Sequence, residues 1–75
     1  MLNKKAAAIL DSTDFDLPYG LVLVKEPPRY FLARFGDDNY FGAIPARRML
    51  RLLKKGMFYE ALAICERRKR ESLNR

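Results

Sequence analysis

The sequence predicts an α+β fold: a short N-terminal helix, a three-stranded antiparallel meander, and a C-terminal antiparallel helical hairpin packed on one sheet face. Three observations lead there. The middle of the 75-residue chain holds short β-prone runs divided by Pro- and Gly-containing breaks. The stretch from residue 46 onward is built from helix-forming types. Within that stretch the apolar stripe shifts sideways at Gly56.

Residues 3–10 form the first helix, favoured by Ala6, Ala7 and Ala8, with Asn3 as its cap. The polar run Asp11, Ser12, Thr13, Asp14 ends it. A helix this short is marginal alone and must dock on something. The meander spans residues 21–44. Leu21, Val22, Leu23 and Val24 make a compact first strand that stops at Pro27-Pro28, because Pro cannot continue a central ladder. Residues 29–35 alternate, with Phe31, Ala33 and Phe35 on one face and Tyr30, Leu32 and Arg34 on the other. After the turn-forming Gly36, Asp37, Asp38 and Asn39, residues 40–44 supply a third strand that pairs with 29–35 as a hairpin.

Pro45 stands where a helix favours its first residue. At 100° per residue, Arg47, Arg48, Arg51, Lys54 and Lys55 fall within an arc of about 120°, opposite Met49, Leu50, Leu52 and Leu53. One unbroken helix would swing Phe58, Leu62 and Cys65 into that basic arc. A break at Gly56 removes the conflict, since Gly readily takes the left-handed conformation that ends a helix. Two helices are therefore expected, 46–55 and 57–71, followed by a basic tail at 72–75. The segment Gly56-Met57-Phe58-Tyr59-Glu60-Ala61-Leu62 resembles the turn and second-helix start of a tetratricopeptide or related helical-hairpin repeat. The resemblance covers these seven residues, stops where Arg68 replaces that repeat's small residue, and implies an antiparallel helix pair.

Size and composition bound the rest. A chain of this length buries only about 60% of the surface it exposes when unfolded, so its stability is modest. With 49% hydrophobic residues it can still build one core and one domain. Cys65 is the sole cysteine and there is no His, so neither an internal disulfide nor a Cys/His metal site is available. A lone thiol suits a reducing cytosol. No segment approaches the roughly 20 apolar residues of a membrane span. The apolar stretch behind Lys4 and Lys5 stops at Asp11, short of a secretory signal. The expectation is a cytoplasmic product complete from Met1, with no membrane partner.

Catalysis has little raw material. The commonest general base is absent, Asp11, Asp14, Asp16, Asp37 and Asp38 lie in turn-like stretches, and the four glycines form no phosphate-cradling loop. The expectation is no catalytic residues, no cofactor and no metal, with Cys65 a small core residue on the stripe of Phe58, Ala61 and Leu62. Charge is the sharper signal. Residues 1–45 hold five Lys/Arg against six Asp/Glu, and residues 46–75 hold ten against three, so a net −1 half precedes a net +7 half. Two clusters carry the excess: the helical face Arg47, Arg48, Arg51, Lys54, Lys55, and the run Arg67, Arg68, Lys69, Arg70. No acid lies among residues 46–59, whereas Glu66 with Arg70 and Arg67 with Glu71 are i,i+4 pairs. Tyr30 and Tyr40, with Arg34 beside them, are stacking candidates on the sheet face away from the helices. The leading expectation is a small non-enzymatic regulator of the phage or plasmid type that binds nucleic acid through these basic residues. The alternative is an adaptor or inhibitor docking on an acidic protein surface, such as one of the transcription machinery. DNA versus RNA, sequence specificity and oligomeric state stay open at this level.

Overall fold

The computed structural model describes residues 4–37 and 42–73. In chain order they form α1 (Lys4–Ser12), β1 (Leu21–Glu26), β2 (Arg29–Arg34), α2 (Ala46–Lys54) and α3 (Phe58–Leu73). The class is α+β, but among the described residues the sheet has two strands rather than the three of a meander. The hairpin also lies elsewhere: β1 and β2 pair antiparallel in register from Leu21↔Arg34 to Glu26↔Arg29, with Pro27-Pro28, joined by a cis peptide bond, as the turn. The two prolines end a strand, as expected, and at the same time reverse the chain.

Of the expected third strand at 40–44, the described residues 42–44 make one bridge, Ile44 to Tyr30, in which the Ile44 N–H donates to the Tyr30 carbonyl at 2.9 Å. Residues 38–41 lie outside the described residues, so the turn there and Tyr40 itself are not placed. The neighbouring backbone explains why no ladder forms over the described residues 42–44. Gly42 has φ +99° and lies so close to α3 that a Cβ there would overlap the Cys65 carbonyl oxygen. One residue on, the Ala43 carbonyl accepts from Arg68 Nη1 at 2.9 Å. Residues 42–44 are thus bound to a helix on one side and by a single bond to β2 on the other.

The faces of β2 are also the reverse of the expected ones. Tyr30 and Leu32 join the helix core, together with Leu21 and the half-buried Leu23. Phe31 and Ala33 are buried outside that cluster, and Phe35 is 82% exposed. Alternation sorts side chains into two sets without saying which set meets the helices. The partner strand decides, because Leu21 and Leu23 share a face with Tyr30 and Leu32 through the pairs Leu23↔Leu32 and Lys25↔Tyr30. The Tyr30 hydroxyl, at the end of its buried ring, donates to Asp11 Oδ1 on α1 at 3.2 Å.

Both C-terminal helices turn an apolar face to this core. α2 buries Ala46, Met49, Leu50, Leu52 and Leu53, and α3 buries Ala61, Leu62, Ile64 and Cys65. They are separate helices. Gly56, at φ +71°, follows the α2 end residue Lys55. Its N–H donates to Leu53 O at 3.1 Å and the Met57 N–H to Leu52 O at 2.9 Å, the paired bonds of a Schellman end.

Two stability measurements check this account. Gly42→Ala should lose on the order of 2–4 kcal/mol in denaturant unfolding, because the new methyl meets helix backbone that cannot give way. Gly56→Ala, with only a side chain nearby, should lose about 1 kcal/mol from its left-handed conformation alone. A pH series tests Tyr30. Desolvation, then the charge of Asp11 and the bond to it, raise the Tyr30 phenol above its ordinary value of 10.0. The folded state therefore holds the proton that the unfolded chain releases, and stability contributed below about pH 10 is lost as pH rises through the folded pKa. Tyr30→Phe should remove that part of the alkaline loss and cost about 1 kcal/mol at neutral pH.

Candidate functional site

The sequence of α2 sorts itself by the helical period. Arg47, Arg48 and Arg51 are exposed along its length, Lys54 and Lys55 are exposed at its end, and the apolar residues between them are buried. Arg51 and Lys54 also lie in the last turn, where positive charge suits the negative end of the helix dipole. No acidic residue occupies the first turn, and none of these five cations has an ion-pair partner among the described residues. The five charges spread over about 12 Å of axial rise on one side of a helix whose other side is fixed in the core.

The second predicted cluster does not stay together. Lys69 is 2.9 Å from Asp37 Oδ2 and 3.1 Å from Oδ1, and it is half-buried. Arg68 holds the Ala43 carbonyl. Both side chains pin α3 to the segments beside β2, which leaves Arg67 and Arg70 exposed. Glu66, expected to offset Arg70, lies 3.7 Å from Arg34 across the gap to β2. Arg34 is thus an exposed partner of Glu66.

Tyr30 is wholly buried, so it has no face to offer a base, and the stacking role expected of it does not hold. Among the described residues the exposed aromatics are Tyr19, Phe35 and Tyr59. Tyr59, 62% exposed, opens α3 four residues past Lys55. Its place just outside the apolar stripe of α3 was the signal in the sequence. Arg29 was also missed. It stands over the Phe31 ring at 5.7 Å and, with Arg68, Pro45 and Ala46, lines a cleft of about 380 Å³ at the start of α2. No group of three or more His, Cys, Asp or Glu side chains is placed to hold a metal among the described residues.

Cys65 is buried and accepts a hydrogen bond on Sγ from the Leu32 N–H at 3.4 Å. Burial pushes its thiol above the ordinary value, against the Leu32 bond and the charge of Arg68, which pull it down. A thiol so placed is a poor nucleophile. Native protein should react with a thiol reagent roughly a hundredfold more slowly than the unfolded chain, the rate being set by local opening. Compared with protein-family models, curated proteins and solved structures, the chain matches none of them.

Proposed function

We propose that this protein binds nucleic acid through the exposed basic face of α2, without catalysing a reaction. The observation that carries the reading is the set Arg47, Arg48, Arg51, Lys54 and Lys55, exposed together with no acidic partner among the described residues. Five uncompensated cations on a rigid helix present a strong local field, and a polyanion gains most from it by releasing its condensed counterions. Arg47, Arg51, Lys54 and Lys55 follow one another along the helix at i, i+4, i+7 and i+8, a spacing that suits successive phosphates of a backbone. Bonds of that kind position the protein without reading sequence. Tyr59, exposed beyond Lys55, is the aromatic best placed to add stacking on an unpaired base.

The same face suits an acidic protein surface, and the half-exposed Met57 beside Tyr59 would add an apolar contact there. Salt separates the two readings. Replacing Arg47, Arg51, Lys54 and Lys55 by Gln should leave the fold intact, since all four are exposed. Affinity for DNA or RNA should fall, and the slope of log K against log salt should flatten by roughly 0.7–0.9 for each phosphate no longer neutralised. A folded variant with unchanged affinity would remove this face as the site and leave Arg67 and Arg70 as the exposed basic residues of α3.

A further inference from the structure

The two edges of the β1–β2 ribbon are finished differently. The Tyr30 carbonyl bonds to Ile44 rather than to β1, so the backbone groups of residues 30, 32 and 34 point away from the ribbon. That edge is occupied: Ile44 donates to Tyr30, Leu32 donates to Cys65 Sγ, and the Arg34 carbonyl accepts from Asp37. Residues 25, 23 and 21 are the cross-strand partners of 30, 32 and 34, so their backbone groups point outward from β1. The Leu21 N–H turns back to the Pro18 carbonyl at 3.1 Å. The N–H and C=O groups of Leu23 and Lys25 have no backbone partner among the described residues.

A groove of about 560 Å³ runs along this open edge, with residues 13–17, whose Phe15 and Leu17 pack on the core, as its wall. Lys25 Nζ reaches the Thr13 carbonyl at 3.5 Å, and Leu17 leads by a short turn into Leu21. The wall therefore runs antiparallel to β1, with Asp16 near the Leu21 end and Lys25 at the other. Asp16 and Lys25 are exposed, while Val22, Leu23 and Val24 are only half-buried. An unpaired edge of this kind is a template for another strand.

We propose that a second copy of this chain occupies the edge, β1 against β1 about a two-fold axis through Leu23, making one four-stranded antiparallel sheet. The register follows from the outward positions. Leu23 exchanges N–H and C=O with its counterpart, and the Lys25 N–H of each copy donates to the Leu21 carbonyl of the other. Val22 then meets Val24 of the other copy on the opposite face, a cross-strand pair of β-branched residues. Paired residues share a face, so Lys25 of each copy arrives at the Leu21 end of the other groove, where Asp16 stands. The strand is thus complementary in charge to its own groove. The proposal uses β1 and the neighbouring stretch 13–17 and is independent of the basic face on α2.

Sedimentation equilibrium of the full chain, without nucleic acid and up to about 1 mM, tests it. The expected result is a mass rising with concentration to twice the 8.8 kDa of one chain. Amide exchange at Leu23 and Lys25 should slow over the same range. Asp16→Lys or Lys25→Asp alone should weaken the dimer by about tenfold, by opposing like charges at both ends of the interface. The double exchange should restore it, with circular dichroism confirming each fold. A monomer at all concentrations overturns the proposal. So does a dimer indifferent to both single changes, which would lie on another face, or a monomer whose Leu23 and Lys25 amides become protected only on adding an unrelated extended peptide.

Discussion

A two-stranded ribbon has too little buried surface to hold its shape in water, and the β1–β2 ribbon holds because one turn of α3 is fastened to it. From that turn Cys65 takes the Leu32 N–H, Arg68 takes the Ala43 carbonyl, and Lys69 takes Asp37. Gly42 lets the connecting backbone lie directly against the same turn. These bonds join three stretches of chain that share no regular ladder. The apolar burial of Tyr30, Leu32 and Ile44 under the helices supplies the driving force. The polar bonds fix where the helix must sit for that burial to occur.

That arrangement explains how the positive charge divides. α2 sits against the core through its apolar face alone, so all five of its cations remain outward. α3 crosses beside β2, and two of its basic residues are drawn into structural bonds there. A net charge of +6 is therefore a poor guide to the size of any electrostatic footprint. The arrangement of α2 carries more information than the total.

The local features were legible in the sequence. The displaced apolar stripe located the turn at Gly56, and the helical period alone separated Arg47, Arg51 and Lys54 from Met49 and Leu53. Cys65 was legible for the same reason, since it shares a stripe with Ala61 and Leu62. What failed depended on distant partners. Pro27-Pro28 read as a strand terminus, and only the pairing of its two flanks shows it to be the hairpin turn. Tyr30 was placed on the wrong face because alternation is symmetric until a second strand breaks the tie. Arg68 and Lys69 read as members of a basic binding cluster because their structural partners Ala43 and Asp37 lie 25 and 32 residues away.

The distance between β2 and the turn that covers it also matters while the chain is being made. Synthesis runs from the N-terminus, so both strands of the ribbon leave the ribosome some thirty residues before Cys65, Arg68 and Lys69. Until α3 emerges, the Leu32 N–H has no sulfur to bond and the ribbon has two bare edges. A nascent chain that stalls or is truncated within α2 would present an apolar hairpin with nothing to cap it, the kind of species that associates with its neighbours. α3 is thus the element that ends the vulnerable period, and chain-shortening lesions that remove it would act on solubility before they act on the basic face of α2.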